Sequence, residues 1–262
     1  MNVLLFKNQE ESAEYVAQEI LGGIRRKPNL VLGLATGSTP IGVYVRLIHA
    51  HQILGVDFSE CITFNLDEYL DLPEGHEHSF RYFMGQHFFS GVNLRPSNIH
   101  FPPSRGNDLT RKYLDYENKI KEVGGIDLQI LGIGSNGHIG FNEPTSSLAS
   151  RTRIKTLTAK TLRDNSRFFR PGELQPQMAS TVGIGTILDA RKILLQAFGA
   201  KKADAVQAAV ERPISAFWPG SALQLHPHVT FCLDAESGSK LSLLDYYKRV
   251  RENEERLSKR DG

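Results

Sequence analysis

Cysteine, tryptophan and methionine are scarce in this chain, at two, one and three in 262 residues. The two cysteines, Cys61 and Cys232, each lie in an apolar, strand-like run with no Cys-x-x-Cys spacing. That argues against a disulfide framework and a thiolate metal site, and for buried reduced thiols in a cytoplasmic protein. An excess of one charge is also lacking: 31 basic against 29 acidic side chains give a net +2, scattered along the chain. No nucleic-acid footprint or polybasic membrane anchor is expected from that balance. No apolar run approaches the ~20 residues needed to span a bilayer, and no basic segment precedes an apolar run near the N-terminus, so neither insertion nor export is expected. Internal repeats, low-complexity tracts and any linker long enough to separate domains are missing too, and one domain over residues 1–262 is expected.

Present instead is an ordinary globular composition, 40% apolar and 23% charged, with short apolar runs at 3–6, 30–34, 62–64, 128–131, 193–198 and 229–233. Between them, residues 12–26, 40–53, 79–89, 109–123, 201–210 and 242–257 place apolar side chains at i, i+3, i+4, the helical period. Alternating buried strands and amphipathic helices predict an α/β fold, a mostly parallel central sheet flanked by helices on both faces in the Rossmann-like manner. The segments 102–107 and 170–176 read as surface loops. The second, with Arg167 close by, suits either a mobile lid over about 158–180 or a plain connector.

Three segments could carry chemistry. In Gly33-Leu-Ala-Thr-Gly-Ser-Thr-Pro40 a strand ends in a small-residue turn and a proline opens the next helix, so N–H groups and the hydroxyls of Ser38 and Thr39 would face an anion. The pattern lacks the lysine of a P-loop, and a capped helix start without any ligand explains it equally well. In Phe64-Asn-Leu-Asp-Glu-Tyr69 two carboxylates follow a strand. Adjacent side chains there point opposite ways, so one of them, held near apolar walls, could enter a site and act as a base, the plainer alternative being an acidic pair that caps the following turn or faces water. In Gly132-Ile-Gly-Ser-Asn-Gly-His-Ile-Gly-Phe-Asn-Glu-Pro144 a glycine-rich loop carries His138 and Glu143, and if it folds back the carboxylate could orient the imidazole as a proton shuttle. A histidine satisfied by backbone carbonyls is the plainer alternative. A metal site is disfavoured, because His76-x-His78 and His226-x-His228 have no carboxylate or cysteine at the usual ligand spacing. Arg151, Arg153, Lys155, Arg167 and Lys202, in or beside Ser-, Thr- and Gly-rich segments, are candidate phosphate partners.

Together with Ser147-Leu-Ala-Ser-Arg-Thr-Arg-Ile-Lys-Thr156 and Leu223-Gln-Leu-His-Pro227, these motifs closely resemble, in order along nearly the whole chain, the glucosamine-6-phosphate deaminase family. The resemblance implies cofactor-free isomerisation coupled to loss of the 2-amino group, turning glucosamine 6-phosphate and water into fructose 6-phosphate and ammonia. It implies that His138 opens the sugar ring with Glu143 and residue 136, and that Asp67 carries a proton from C2 to C1. The N–H groups of Gly37, Ser38 and Thr39, with Thr36, Arg167 and Lys202, would hold the phosphate. Some family members are hexamers activated by N-acetylglucosamine 6-phosphate at a subunit interface, others monomers without activation. Ser146, Arg153 and Lys155 match the effector positions, which leaves a homo-oligomer and an effector open.

One departure stands out: Asn136 occupies a position where many members carry aspartate. An amide can orient a neighbour but cannot stabilise its cation, so the ring-opening group is expected to titrate lower than in the aspartate members. A 6-phosphogluconolactonase shares the fold and the phosphate cradle but needs no C2 base. A sugar-phosphate sensor of a transcription regulator would need a DNA-binding segment, which this sequence does not display.

Overall fold

A computed structural model describes residues 1–73, 75–170 and 172–258. The first half of the chain runs β1 (Asn2–Leu5), α1 (Gln9–Arg26), β2 (Val31–Leu34), α2 (Ile41–Leu54), β3 (Ile62–Asn65), β4 (Asp67–Tyr69), α3 (Phe80–His87), β5 (Ile99–His100) and α4 (Leu109–Glu122). The second runs β6 (Leu128–Gly132), β7 (Arg153–Thr156), α5 (Ala159–Asn165), β8 (Met178–Thr181), α6 (Ile184–Leu188), β9 (Lys192–Ala197), α7 (Ala203–Val210), β10 (Val229–Leu233) and α8 (Leu244–Ser258).

Seven strands pair in the order β1-β10-β9-β6-β2-β3-β5, every pair parallel. Both faces are buried, so consecutive residues alternate between two cores rather than between core and water. Leu4, Leu32, Leu34, Ile130 and Leu194 pack with Val16 and Ile20 of α1, Tyr44 and Leu47 of α2, and Met84 of α3. Val3, Val31, Phe64, Leu131, Ile193, Leu195 and Phe231 turn to the other side, towards Tyr116 and Ile120 of α4, Ile187 of α6 and Val206 of α7. Helix starts follow local chemistry. Asn8 Oδ1 accepts from Glu11 N at 2.9 Å to cap α1, and Ser79 Oγ accepts from Tyr82 N at 3.1 Å to cap α3.

The expected sheet is present, with the six expected strands and six expected helices near where the apolar periodicity puts them, while β5, α5 and α6 lie in segments that it does not mark. One boundary moves: Pro40 precedes the first residue of α2 and accepts from Val43 and Tyr44 N–H, in place of occupying the first helical turn. A feature the periodicity does not reveal is a second sheet, antiparallel, ordered β4-β8-β7. Its registers align Asp67 with Thr181 and Thr181 with Arg153. Directly paired residues share a face, and this rung carries the loop after β6. Thr181 Oγ1 accepts from Phe141 N at 3.0 Å, and Arg153 donates to Asn142 Oδ1 at 2.9 Å. An added Cβ on Gly140 would lie 3.6 Å from Asp67 Oδ2.

Strand order reverses direction between β2 and β6, the place where open α/β sheets bind ligands beyond the strands' carboxyl ends. The segments that follow β2, β3, β6 and β9 converge there.

Candidate active site

A cleft of about 300 Å³ opens at that point, lined by Thr36, Gly37, Ser38, Thr39, Asp67, His138, Arg167 and Lys202 among others. Candidate residues from well-separated sequence segments thus share one cavity.

At one end, the turn after β2 places Gly37 at φ 97, a left-handed backbone for which glycine has no steric penalty. Pro40 contributes no side-chain cap to α2, so the helix start and its dipole are presented to the cleft. Gln9 ties the turn down from outside, its amide donating to Thr39 O at 3.1 Å. Lys202 Nζ donates to Ile133 O at 2.7 Å, and burial lowers its pKa while Asp164 nearby acts the other way. Arg167 is exposed, its guanidinium 4.7 Å from the Phe168 ring. A small anion with two cationic partners and a ring of N–H and hydroxyl donors fits this end.

At the other end stand the acid–base groups. Asp67 is 7% exposed. Burial, with a smaller push from the Glu68 charge, raises its pKa to about 8. Glu68 turns away and accepts from Phe80 N at 2.9 Å and Arg81 N at 3.0 Å, closing the start of α3, so of the two neighbouring carboxylates only Asp67 enters the cleft. Burial raises Glu68 as well, against three backbone donors that pull the other way.

The loop after β6 does fold back. His138 Nδ1 comes within 3.6 Å of Glu143 Oε2, an ion-pair separation rather than a hydrogen bond. The imidazole lies against Gly134, where a Cβ would come within 2.4 to 2.6 Å of ring atoms, so only glycine admits the ring there. Glu143 is 1% exposed. Burial alone would raise its pKa, yet His138, Thr161 and Thr158 N–H outweigh that and hold it down at about 2. Asn136 Nδ2 donates to Glu143 Oε2 at 2.7 Å, and its Oδ1 accepts from His138 N at 3.2 Å. Asn136 therefore reaches the imidazole through the backbone and through Glu143, and the structure shows no bond from the amide to the ring. The spacing Gly132-x-Gly134-x-x-Gly137 mimics a dinucleotide fingerprint, but no helix opens after it, so the dipole that would hold a pyrophosphate is missing from that loop.

Other candidates are elsewhere. Ser146, Arg153 and Lys155 do not line the cleft. Ser146 Oγ is buried with no hydrogen-bond partner among the described residues, and Arg153 and Lys155 lie two apart on β7. Arg151 leaves the site altogether, paired with Asp189 and Thr186 Oγ1. His226 is held by the backbone, its Nε2 2.6 Å from Ala190 O and its Nδ1 accepting from His228 N. His78 meets one carboxylate that its sequence neighbourhood did not suggest, Glu173: with the adjacent Glu77, the three bring one donor atom each within 4.8 Å of one another. They are already engaged, His78 with Glu173 at 2.9 Å and Glu77 with Arg170 at 3.0 Å.

Sequence reasoning missed Thr158, Thr161, Tyr69 and Asn165. Thr158-x-x-Thr161 was visible as a helix-capping pair; nothing in the sequence said that this cap faces Glu143. Asn165 donates to Tyr69 Oη at 3.0 Å across the cleft wall. Residue 171 of the 170–176 loop lies outside the described residues.

Parallel strands between two helical layers, an anion cradle at the switch point and a carboxylate facing an imidazole define an α/β protein built around a small anionic ligand. Residues 7–231 match the family model for glucosamine-6-phosphate isomerases and 6-phosphogluconolactonases. The chain is 53% identical over 250 residues to a glucosamine-6-phosphate deaminase of Hahella chejuensis, covering 95% of each, and 49% identical over 260 residues to one of Shewanella loihica, covering 99% of this chain and 97% of that one. Among solved structures, a monomeric glucosamine-6-phosphate deaminase superposes with TM-score 0.88 at 41% identity, over 91% of this chain and 99% of that one. A 6-phosphogluconolactonase of Leishmania guyanensis gives TM-score 0.72 at 21% identity, over 91% and 98%, a likeness of fold alone. This chain belongs to the glucosamine-6-phosphate isomerase/6-phosphogluconolactonase family.

Proposed function

We propose that the protein is a glucosamine-6-phosphate deaminase that works without a cofactor, in amino sugar catabolism. The observation that carries this reading is Asp67: a buried carboxyl raised to about 8, facing the cleft. Lactone hydrolysis needs a base only to activate water and no C2 base, whereas aldose–ketose isomerisation needs a group that removes a carbon-bound proton and returns it one carbon away.

The phosphate rests on the turn 36–39 with Arg167 and Lys202, which fixes the sugar's other end near His138. His138 takes the proton of the C1 hydroxyl and delivers one to the ring oxygen, opening the pyranose to the aldehyde, with Glu143 and Asn136 holding it in place. Asp67 then removes the C2 proton while the C1 carbonyl oxygen takes one from the substrate's ammonium group, giving an enolamine; Asp67 returns its proton to C1, leaving an iminium at C2. Water adds at C2, the carbinolamine collapses to the ketone, and ammonia leaves. Residues 158–180 form a lid, supported by the packing of Phe169 on Tyr69 at 5.9 Å and on His78 at 4.7 Å, across the mouth of the cleft.

Incubation with glucosamine 6-phosphate and no added metal should release ammonia and fructose 6-phosphate in equal amounts. No product from folded protein would move lactonase activity to the front.

For an effector, the support is Ser146, whose buried hydroxyl has no partner among the described residues, together with the basic pair Arg153 and Lys155 on β7, Arg153 touching Asn142 one residue from Glu143. Adding N-acetylglucosamine 6-phosphate should then raise velocity at low substrate, in a homo-oligomer seen by light scattering; superimposable curves from a monomer, the state ascribed to the solved relative, remove the effector. A cytoplasmic location is inferred from the two buried cysteines. No helix among the described residues is long and apolar enough to cross a membrane.

A further inference from the structure

Thr158 and Thr161 belong to the lid segment, yet their side chains point back into the acid–base pair. Thr158 caps α5, its Oγ1 accepting from Thr161 N at 3.3 Å. The same residue donates from its backbone to Glu143 Oε1 at 3.1 Å and from its hydroxyl to Glu143 Oε2 at 3.2 Å. Thr161, one turn on, is 2% exposed. Its hydroxyl lies 3.4 Å from His138 Nδ1 and 3.2 Å from Thr158 Oγ1.

Glu143 Oε2 stands 3.6 Å from Nδ1, and the Thr161 hydroxyl, at 3.4 Å, is the closer of the two groups that Nδ1 faces. A hydroxyl can accept from Nδ1–H while donating onward, which a carboxylate cannot do. With the Nδ1 proton held in this way, Nε2 is left with its lone pair for the cleft, the form a base needs. Ser135 Oγ, donating to Asp164 at 2.7 Å, and Lys160 Nζ, donating to Ser135 O at 3.2 Å, fasten the rest of α5 to the same loop.

We propose that Thr161 is a positioning residue for His138: its hydroxyl fixes the ring with Nδ1 towards Glu143, so that the seating of the first turn of α5 and the competence of His138 for ring opening are one event. This rests on the deaminase reading of the same site.

The test compares Thr161→Val, which keeps the shape and removes the hydroxyl, with Thr161→Ser, which keeps the hydroxyl. In Thr161→Val, kcat should fall by about tenfold, the scale of one orienting hydrogen bond, with KM within about twofold and an altered acidic limb of the kcat profile. Thr161→Ser should stay within about twofold of the parent in all three. Ring-nitrogen NMR of His138, assigned against His138→Asn, should show the Nδ1–H tautomer in the parent and in Thr161→Ser and a tautomer mixture in Thr161→Val, with Thr161→Ala read in its place if the valine protein does not fold. Parental kcat and pH profile in Thr161→Val, equal impairment of the serine variant, or an Nε2–H tautomer in the parent would overturn the proposal. An inactive parent would instead sink the deaminase reading, and the tautomer would still test the positioning role.

Discussion

Asp67 and Glu143 are both buried carboxylates at the same end of the molecule, and they are driven in opposite directions. Asp67 sits without a hydrogen-bond donor strong enough to offset its burial and rises to about 8. Glu143 is buried as well yet falls to about 2, because His138, the Thr161 hydroxyl and Thr158 N–H outweigh that burial. Burial alone, then, does not set the state of an acid; it decides where no donors are aimed at the carboxylate, as at Asp67, and is overridden where they are. One strand end and one glycine loop thereby supply a proton acceptor and a permanent anion, the separation of roles on which acid–base sites depend.

The contrast can be broken most severely at Asp67. Asp67→Asn should lower turnover by about 10² to 10⁴ with little change in substrate binding, a split that steady-state kcat and KM would resolve. The same variant should melt higher than the parent at pH 8 and equally near pH 4. An unfolded aspartate ionises near ~3.9 and the folded one near 8, so between those values the unfolded state has lost a proton the native state keeps, and the parent's stability declines as pH rises. A thermal melt series over that window checks the sign.

Gly134→Ala comes next. It leaves the carboxylates untouched but puts a methyl into the space the imidazole occupies, and kcat/KM should drop by about a hundredfold because a displaced base loses its alignment; unchanged kinetics would mean the ring does not work from this seat. Asn136→Asp erases the contrast differently, placing a second carboxylate beside Glu143 Oε2. Added negative charge favours protonated neighbours, so the acidic limb of kcat should move to higher pH. An identical limb would show that residue 136 acts by geometry alone. The smallest change is expected from Glu68→Gln. Removing that charge relieves Asp67, and the rise of kcat/KM with pH should shift to lower pH by less than about one unit, at the cost of a weaker start to α3.

How much of this was readable beforehand differs between the two sheets for a physical reason. Strands β2, β6, β9 and β10 are buried on both faces and spell short, mostly apolar runs bounded by turn residues, a length too short for a helix. The small sheet is built from Asp67-Glu-Tyr, Arg-Ile-Lys-Thr and Met-Ala-Ser-Thr, segments of three or four residues with polar and apolar side chains on a half-covered surface, and its existence depends on pairing across more than a hundred residues. The site divides in the same way. Asp67, His138, Glu143 and the turn 36–39 announce themselves because glycines, paired carboxylates and a proline after a strand are unusual company. Thr158 and Thr161 do not, since a threonine cap looks the same whether its hydroxyl meets water or a buried glutamate. Arg151 was misleading in the opposite sense: its composition fits a phosphate partner, while its place on the surface gives it to Asp189.

The separation of Asp67 from Glu143 is tested most directly by a carbon-13 carboxyl NMR titration of the ligand-free protein, with the two signals assigned from Asp67→Asn and Glu143→Gln. Asp67 should titrate with a midpoint near 8 while Glu143 stays ionised down to the acid limit of folding. Two ordinary midpoints near ~4 would contradict the account.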